Sequence, residues 1–110
     1  MSFNARLGMT RAPDGAIHLE AGPAHEVAPG VVHFAVLATL AEVSAAGTVD
    51  AGVVPAQVSL SLLSVARPGL LVARGRLLRR GRKLAVATGD VFQGDKLVAT
   101  ATVSFAILDA

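Results

Sequence analysis

Glu42 is the residue of this sequence whose position most strongly suggests chemistry. It is the only acidic residue in the apolar stretch Val31 to Val49 (VVHFAVLATLAEVSAAGTV). The stretch predicts a helix over about Val31–Ala46, apolar on every side and therefore buried on every side. A carboxylate there is costly unless it is paired, hydrogen-bonded or used. Glu42 is therefore either a structural carboxylate with a hidden arginine partner or a catalytic group.

His33 stands nine residues before Glu42, near the predicted start of the helix. Nine residues turn through about 900° and rise roughly 13.5 Å, so the two side chains face opposite sides of the helix. They form no pair within one chain, and a site that uses both ends of the helix must combine two subunits. This argument favours a homo-oligomer. We interpret His33 itself as a structural residue that orients the loop before the helix.

The start of the helix is a candidate electrophilic site. The first backbone N–H groups of a helix lack intrahelical partners and carry partial positive charge. The N–H of Phe34, with that of Ala35 beside it, is therefore suited to polarise a carbonyl group.

The neighbours of Glu42 on its helix face are small. They lie three or four positions away and are Ala38, Thr39, Ala45 and Ala46. The alanines leave space for a substrate beside the carboxylate, although tight packing of the helix against a sheet explains them equally well. The hydroxyl of Thr39 is placed to bond Glu42 or a water molecule.

A basic turn is the second candidate binding feature. It contains Arg79, Arg80, Arg82 and Lys83 around Gly81. Such a turn suits phosphate groups on a small ligand, but the tips of hairpins are commonly charged and solvated in any case. Arg67 is a weaker candidate. Aromatic residues make up 4% of the chain, so the basic cluster lacks the stacking surfaces typical of single-stranded nucleic acid binding.

Composition limits the remaining possibilities. The 110 residues are 53% hydrophobic and 16% charged, which predicts one folded domain over residues 1–110. No cysteine is present, and the spacing of the His and carboxylate residues, including His18 and His25, suggests no metal site and no cofactor. We expect His18 and His25 to lie at the surface. We also expect a cytoplasmic protein that binds neither membrane nor nucleic acid.

The periodicity around the helix predicts an antiparallel sheet. A hairpin precedes it, with strands over 2–10 and 16–21, and Gly47 stands where a left-handed cap is expected. Four strands follow, over 57–65, 70–78, 84–92 and 97–108, joined by short turns. A helix without a polar face must be covered all round. The predicted class is thus α+β, with five to six strands curved around one helix and a second subunit over the remaining stripe.

At this level the sequence resembles the hotdog-fold acyl-CoA thioesterases, in particular the small phenylacetate-pathway-type and 4-hydroxybenzoyl-CoA-type enzymes. The resemblance covers nearly the whole chain and rests on the order and spacing of several short motifs. These are Pro29-Gly30, His33, Glu42, Ala66-Arg67-Pro68-Gly69 and Arg79-Arg80-Gly81-Arg82.

The chain also departs from this family at several positions. The usual His-Gly-Gly is His33-Phe34-Ala35 here, and the usual Leu-Ala-Asp is Leu40-Ala41-Glu42. Val27 stands where many relatives carry Asn or Gln, and Ala46 stands where some carry Thr.

The resemblance implies hydrolysis of an acyl-CoA thioester to a free acid and coenzyme A in a dimer or a dimer of dimers. Glu42 of one subunit would serve as base or nucleophile, and the Phe34 N–H of the other would polarise the carbonyl. Ala38, Ala45 and Ala46 would flank the substrate, and Arg79, Arg80, Arg82 and Lys83 would contact the phosphates of coenzyme A.

Two alternatives stay open. One is a hotdog protein that binds acyl-CoA, or only assembles, without turnover. The other is a hotdog enoyl-CoA hydratase or dehydratase, although the helix carboxylate of that branch would fall near Ala35.

Overall fold

The computed structural model describes residues 1–108 and contains two helices and eight strands. The helices are α1 (Phe3–Leu7) and α2 (Phe34–Ala46), and a 3₁₀ turn covers Pro23–His25. The strands are β1 (Thr10–Arg11), β2 (Ile17–Ala21), β3 (Glu26–Ala28), β4 (Val31–Val32), β5 (Val53–Leu62), β6 (Gly69–Arg80), β7 (Leu84–Gln93) and β8 (Lys96–Ile107). No helix within the described residues has the length and apolar character needed to span a membrane.

Six strands form one antiparallel sheet in the order β1-β2-β6-β7-β8-β5, and α2 packs on one of its faces. The predicted α+β architecture is therefore confirmed: two strands precede the helix and four follow it. The helix lies mainly across β6, β7 and β8. Among residues 1–108, strand β5 pairs with β8 alone, so its other edge carries unpaired backbone groups.

Two paired glycines allow α2 to touch the sheet directly. Gly75 on β6 faces Gly89 on β7 in the register of the sheet. A Cβ atom at Gly75 would lie 2.0 Å from the Ser44 carbonyl oxygen, and one at Gly89 would lie 2.0 Å from the Ala41 carbonyl oxygen. Any larger residue at either position would push the helix off the sheet. This contact fixes the distance of α2 from the sheet and the position of the helix that carries Glu42.

Helix α2 starts three residues later than predicted. Val31–Val32 pairs with β3 as a small two-stranded sheet, and His33 is the N-cap, with an extended backbone at φ −62° and ψ 137°. The side of α2 that faces the sheet is buried in the core. The opposite side is partly exposed along a stripe that includes Ala38, Thr39 and Glu42. A single chain therefore leaves this stripe of the helix uncovered, and it is the part that we expected a second subunit to cover.

The N-terminal segment differs more strongly from the prediction. Residues 3–7 form the short helix α1 in place of a strand, because the Ser2 hydroxyl accepts a hydrogen bond from the Ala5 N–H and Gly8 ends the helix at φ 91°. Of the predicted first strand only β1 remains. Gly47 is also not the expected left-handed cap, since its φ is −64°. Its lack of a side chain instead makes room for the Arg11 guanidinium, 3.1 Å from where a Cβ would lie.

Candidate functional site

The start of α2 presents one unpaired donor. The Ala35 N–H donates to Nδ1 of His33 at 3.0 Å, and the Val36 N–H donates to the His33 carbonyl oxygen at 3.0 Å. Within residues 1–108 the N–H of Phe34 has no hydrogen-bond partner. Of the two N–H groups predicted as electrophiles, Ala35 is therefore occupied by the cap. Of these two groups, the N–H of Phe34 is the one that the described part of the chain leaves free at the positive end of the helix.

The loop before α2 is held in place by several hydrogen bonds. The His33 N–H donates to the His25 carbonyl oxygen at 2.8 Å, and the Val32 N–H donates to the Ala66 carbonyl oxygen at 2.9 Å. The Arg67 guanidinium donates to the Gly30 carbonyl oxygen at 3.0 Å. Arg67 therefore fixes the loop that sets the direction of the helix start. The order of the sequence motifs gave no sign of this contact.

His25 also has a structural role that the sequence did not predict. Its Nδ1 accepts from the Gly22 N–H at 3.0 Å, and its Nε2 lies 2.7 Å from the Leu7 carbonyl oxygen. The ring therefore links α1 to the loop before α2. His25 is half-buried, whereas we expected a surface residue.

Glu42 is half-buried on the outer side of α2. Within the described part of the chain its carboxylate has neither an ion pair nor a hydrogen bond, so no strand arginine of the same chain is its partner. Burial raises the pKa of the Glu42 carboxyl above its ordinary value of 4.5. A carboxylate that is partly desolvated and unpaired is suited to accept a proton or attack a carbonyl carbon.

The small residues around Glu42 divide into two groups. Ala38 and Ala46 are half-exposed beside it and leave open space on the outer side of the helix. Ala45 is fully buried against the sheet in the core, so it is out of reach of a substrate that approaches Glu42. Thr39 donates its hydroxyl to the Ala35 carbonyl oxygen at 2.8 Å. The Thr39 oxygen keeps lone pairs with which it can accept a hydrogen bond from a water molecule.

A cavity of about 310 Å³ opens beside the start of α2. It is lined by Val31, Val32, Phe34, Leu37, Leu62, Leu63, Ser64, Val65 and Ala66. The Phe34 ring stacks on the His33 ring with centroids 5.0 Å apart and an angle of 27° between the planes. The cavity therefore exists with the phenyl group in place.

A second cavity, of about 280 Å³, lies at the opposite end of α2. Its lining includes Arg11, Asp14 and Arg74 but none of the predicted site residues. The first cavity is lined by Phe34, whose N–H is unpaired within residues 1–108, so it is the cavity beside the candidate electrophile.

The basic turn lies at the end of the β6–β7 hairpin. Arg80 is bound by its own chain: Nε donates to the Asp50 carboxylate at 2.9 Å, and Nη1 contacts the Gly81 carbonyl oxygen. The Arg80 hydrogen bond in turn lowers the pKa of the Asp50 carboxyl. Within residues 1–108, Arg79, Arg82 and Lys83 are exposed and form no ion pair. Three of the four predicted phosphate contacts therefore have free charged groups.

Comparison with known proteins gives a consistent result. Residues 29–100 match the family model described as the thioesterase superfamily. A phenylacetic acid degradation-related protein of Ralstonia eutropha JMP134 is 31% identical, with a TM-score of 0.84 over 94% of this chain and 88% of that one. No protein with a curated description matches the sequence.

Two further solved structures share the fold at lower identity. A thioesterase of Haemophilus influenzae is 21% identical, with a TM-score of 0.87 over 98% of this chain and 83% of that one. A Bacillus halodurans protein solved with CoA is also 21% identical, with a TM-score of 0.85 over 96% of this chain and 74% of that one.

Proposed function

Because the chain belongs to the thioesterase superfamily, we propose that it hydrolyses an acyl-CoA thioester to a free acid and coenzyme A at a site shared by two subunits. The observation that carries this proposal is the presence of two unpaired groups on one helix, the Phe34 N–H and the Glu42 carboxylate. They are eight residues apart, which corresponds to about 12 Å along the helix axis. One thioester carbonyl cannot meet both groups of the same chain.

The reaction follows from the chemistry of these two groups. As a base, Glu42 takes a proton from water while the water oxygen attacks the carbonyl carbon. The oxyanion that forms accepts a hydrogen bond from the Phe34 N–H of the partner. The C–S bond then breaks, and the coenzyme A thiolate takes the proton from Glu42. As a nucleophile, Glu42 would instead form an acyl anhydride that water hydrolyses in a second step.

The free edge of β5 supports a dimer. Nearly all residues of this strand are exposed, including Val54 and Val58 at 45% and Leu62 at 52%. A long apolar edge strand is a ready template for pairing with a second strand. We assign this edge to a second copy of the chain, arranged so that the two α2 helices run antiparallel and each Glu42 meets the other helix start. The same dimer could associate further into a dimer of dimers.

The basic turn at the end of the β6–β7 hairpin provides the contact for coenzyme A in this arrangement. The ion pair between Arg80 and Asp50 places the hairpin at the C-terminal end of its own α2. In an antiparallel pair that end lies toward the partner's helix start. Arg79, Arg82 and Lys83 are then available to the phosphates, and Arg80 holds the hairpin against its own chain. The Bacillus halodurans structure holds CoA, which is consistent with such a ligand.

The test is release of free thiol from a panel of acyl-CoA thioesters by the wild type, Glu42→Ala and the matched control Glu20→Ala. Glu20 is exposed on β2, so its loss should leave the rate unchanged. We expect Glu42→Ala to lower kcat by at least about a hundredfold. Full hydrolysis by Glu42→Ala contradicts the role of Glu42. Tight binding of acyl-CoA by the wild type without release of thiol favours a binding protein, and hydration of an enoyl-CoA favours a hydratase.

A further inference from the structure

We propose that the cavity beside the start of α2 receives the acyl group of the substrate and selects apolar, uncharged acyl groups of small to medium size. This inference rests on the proposed thioesterase function. It adds the substrate class and the residues that select it. These are Phe34 and residues 62–65, which comprise the last residue of β5 and the three residues after it.

The position of the cavity connects it to the reacting carbonyl. Phe34 lines the cavity, and within residues 1–108 its N–H is unpaired at the helix start. When the carbonyl oxygen accepts a hydrogen bond from that N–H, the carbonyl carbon still carries two substituents: the alkyl or aryl part of the acyl group and the sulfur of the pantetheine arm. One of these two substituents extends from the carbonyl carbon into the cavity.

The lining of the cavity decides between the two substituents. Eight of the nine lining residues are apolar, and Ser64 is the single polar side chain. The pantetheine arm carries two amides, which need hydrogen-bond partners when they are buried. An alkyl or aryl acyl group needs none and gains free energy from leaving water. The cavity therefore fits the acyl group.

The size of the cavity limits the length of the acyl group. A dry cavity of about 150 Å³ is large enough to bind benzene, and this one measures about 310 Å³. It therefore accepts an arylacetyl group or a medium-length alkyl chain. Phe34, whose ring stacks on His33, limits the cavity on the side of the helix start.

Charge provides the sharpest test, because the cavity lining that residues 1–108 form contains no charged side chain. Hexanoyl-CoA and adipoyl-CoA have acyl chains of equal length, and adipoyl-CoA ends in a carboxylate. We expect the wild type to prefer hexanoyl-CoA by about a hundredfold or more in kcat/KM, since a carboxylate loses its hydration in the cavity without a partner.

Leu63→Lys introduces a cation at the cavity, and Leu78→Lys is the matched control. Leu63 is 54% exposed and Leu78 is 49% exposed, on the β6–β7 hairpin outside the cavity. Leu63→Lys should reduce the preference for hexanoyl-CoA by about fivefold or more, and Leu78→Lys should leave it unchanged. Because both kcat/KM values of a variant are measured on the same preparation, their ratio does not depend on how much of that variant is folded and dimeric.

The inference is overturned if the wild type hydrolyses both thioesters within about threefold of each other, or if Leu63→Lys changes the ratio no more than Leu78→Lys does. If the protein hydrolyses neither thioester, the proposed function is contradicted, and the inference about the cavity is tested by binding instead. The same ratio is then measured as Kd for the two acyl-CoA compounds by calorimetry. Preferred binding of hexanoyl-CoA that Leu63→Lys weakens supports the cavity, and equal binding or no binding of both overturns it.

Discussion

The Ala35 N–H donates a hydrogen bond to Nδ1 of His33 across 3.0 Å. This bond closes the first turn of α2 and removes Ala35 from the set of free donors. The Phe34 N–H is then the donor left for a substrate carbonyl. His33 therefore caps the helix and orients its first N–H groups.

The cap predicts how the stability depends on residue 33. His33→Ala should lower the free energy of unfolding by about 1 kcal/mol, because a helix donor loses its partner. His33→Ser should retain most of the stability, since serine is a preferred N-cap residue. Chemical denaturation of the three proteins measures the differences. Equal stability of the Ala and Ser variants would show that the cap contributes little.

The environment of Glu42 predicts the acid limb of the pH profile. The base must be ionised in the free enzyme, and burial raises its pKa above 4.5. As the pH falls, kcat/KM should therefore decline with a midpoint above 4.5. The control Glu20→Gln should keep the same midpoint. A midpoint at or below 4.5 in the wild type would contradict a desolvated Glu42 as the titrating base.

The contact between Gly89 and Ala41 predicts a steric effect. Gly89→Ala should lower the free energy of unfolding by about 2 kcal/mol or more, because the new methyl group meets the Ala41 carbonyl oxygen at 2.0 Å. Gly52→Ala is the control, since its Cβ would meet only Leu108 side-chain atoms at 3.8 Å. Denaturation curves compare the two variants. A similar stability of both would mean that the helix is not seated on the glycines.

The apolar edge of β5 predicts the effect of a charge on assembly. Val58→Lys should shift the protein from dimer to monomer in sedimentation velocity, because lysine on an edge strand opposes strand pairing. Leu78→Lys, on the β6–β7 hairpin, should leave the dimer intact. A wild type that sediments as a monomer, or a Val58→Lys variant that remains dimeric, would exclude this edge as the interface.

The main features of the fold could be predicted from the sequence, because alternation and turn residues determine where strands lie. The four strands after the helix appear within a few residues of their expected positions. The predictions for the N-terminal segment and the helix start were wrong because hydrogen bonds in these segments determine the structure there. The cap from Ser2 overrode the strand pattern in α1, and the pairing of Val31–Val32 with β3 moved the helix start to Phe34.

The candidate site was only partly predictable for a related reason. The chemistry of Glu42 and of the Phe34 N–H is visible in residue type and helical spacing. The cavity depends on residues 62–66, which are distant in sequence from the helix, and only the packing brings them together. The bond from Arg67 to Gly30 is likewise a tertiary contact without a sequence signal.

The central claim is that each active site combines Glu42 of one chain with the Phe34 N–H of the other. Phe34→Pro removes that N–H at the first position of a helix, where proline is well tolerated. The extended backbone of His33 is also compatible with a following proline. Phe34→Ala is the control that keeps the N–H.

The most direct measurement is the activity of dimers reassembled from a mixture of Phe34→Pro and Glu42→Ala chains. Each variant alone should be inactive, with both folded and dimeric. In a mixed dimer one site carries both defects and the other carries none. An equal mixture of freely exchanging chains should therefore recover about a quarter of the wild-type rate. A mixture that stays as inactive as its two components, despite proven exchange of subunits, would contradict the shared site.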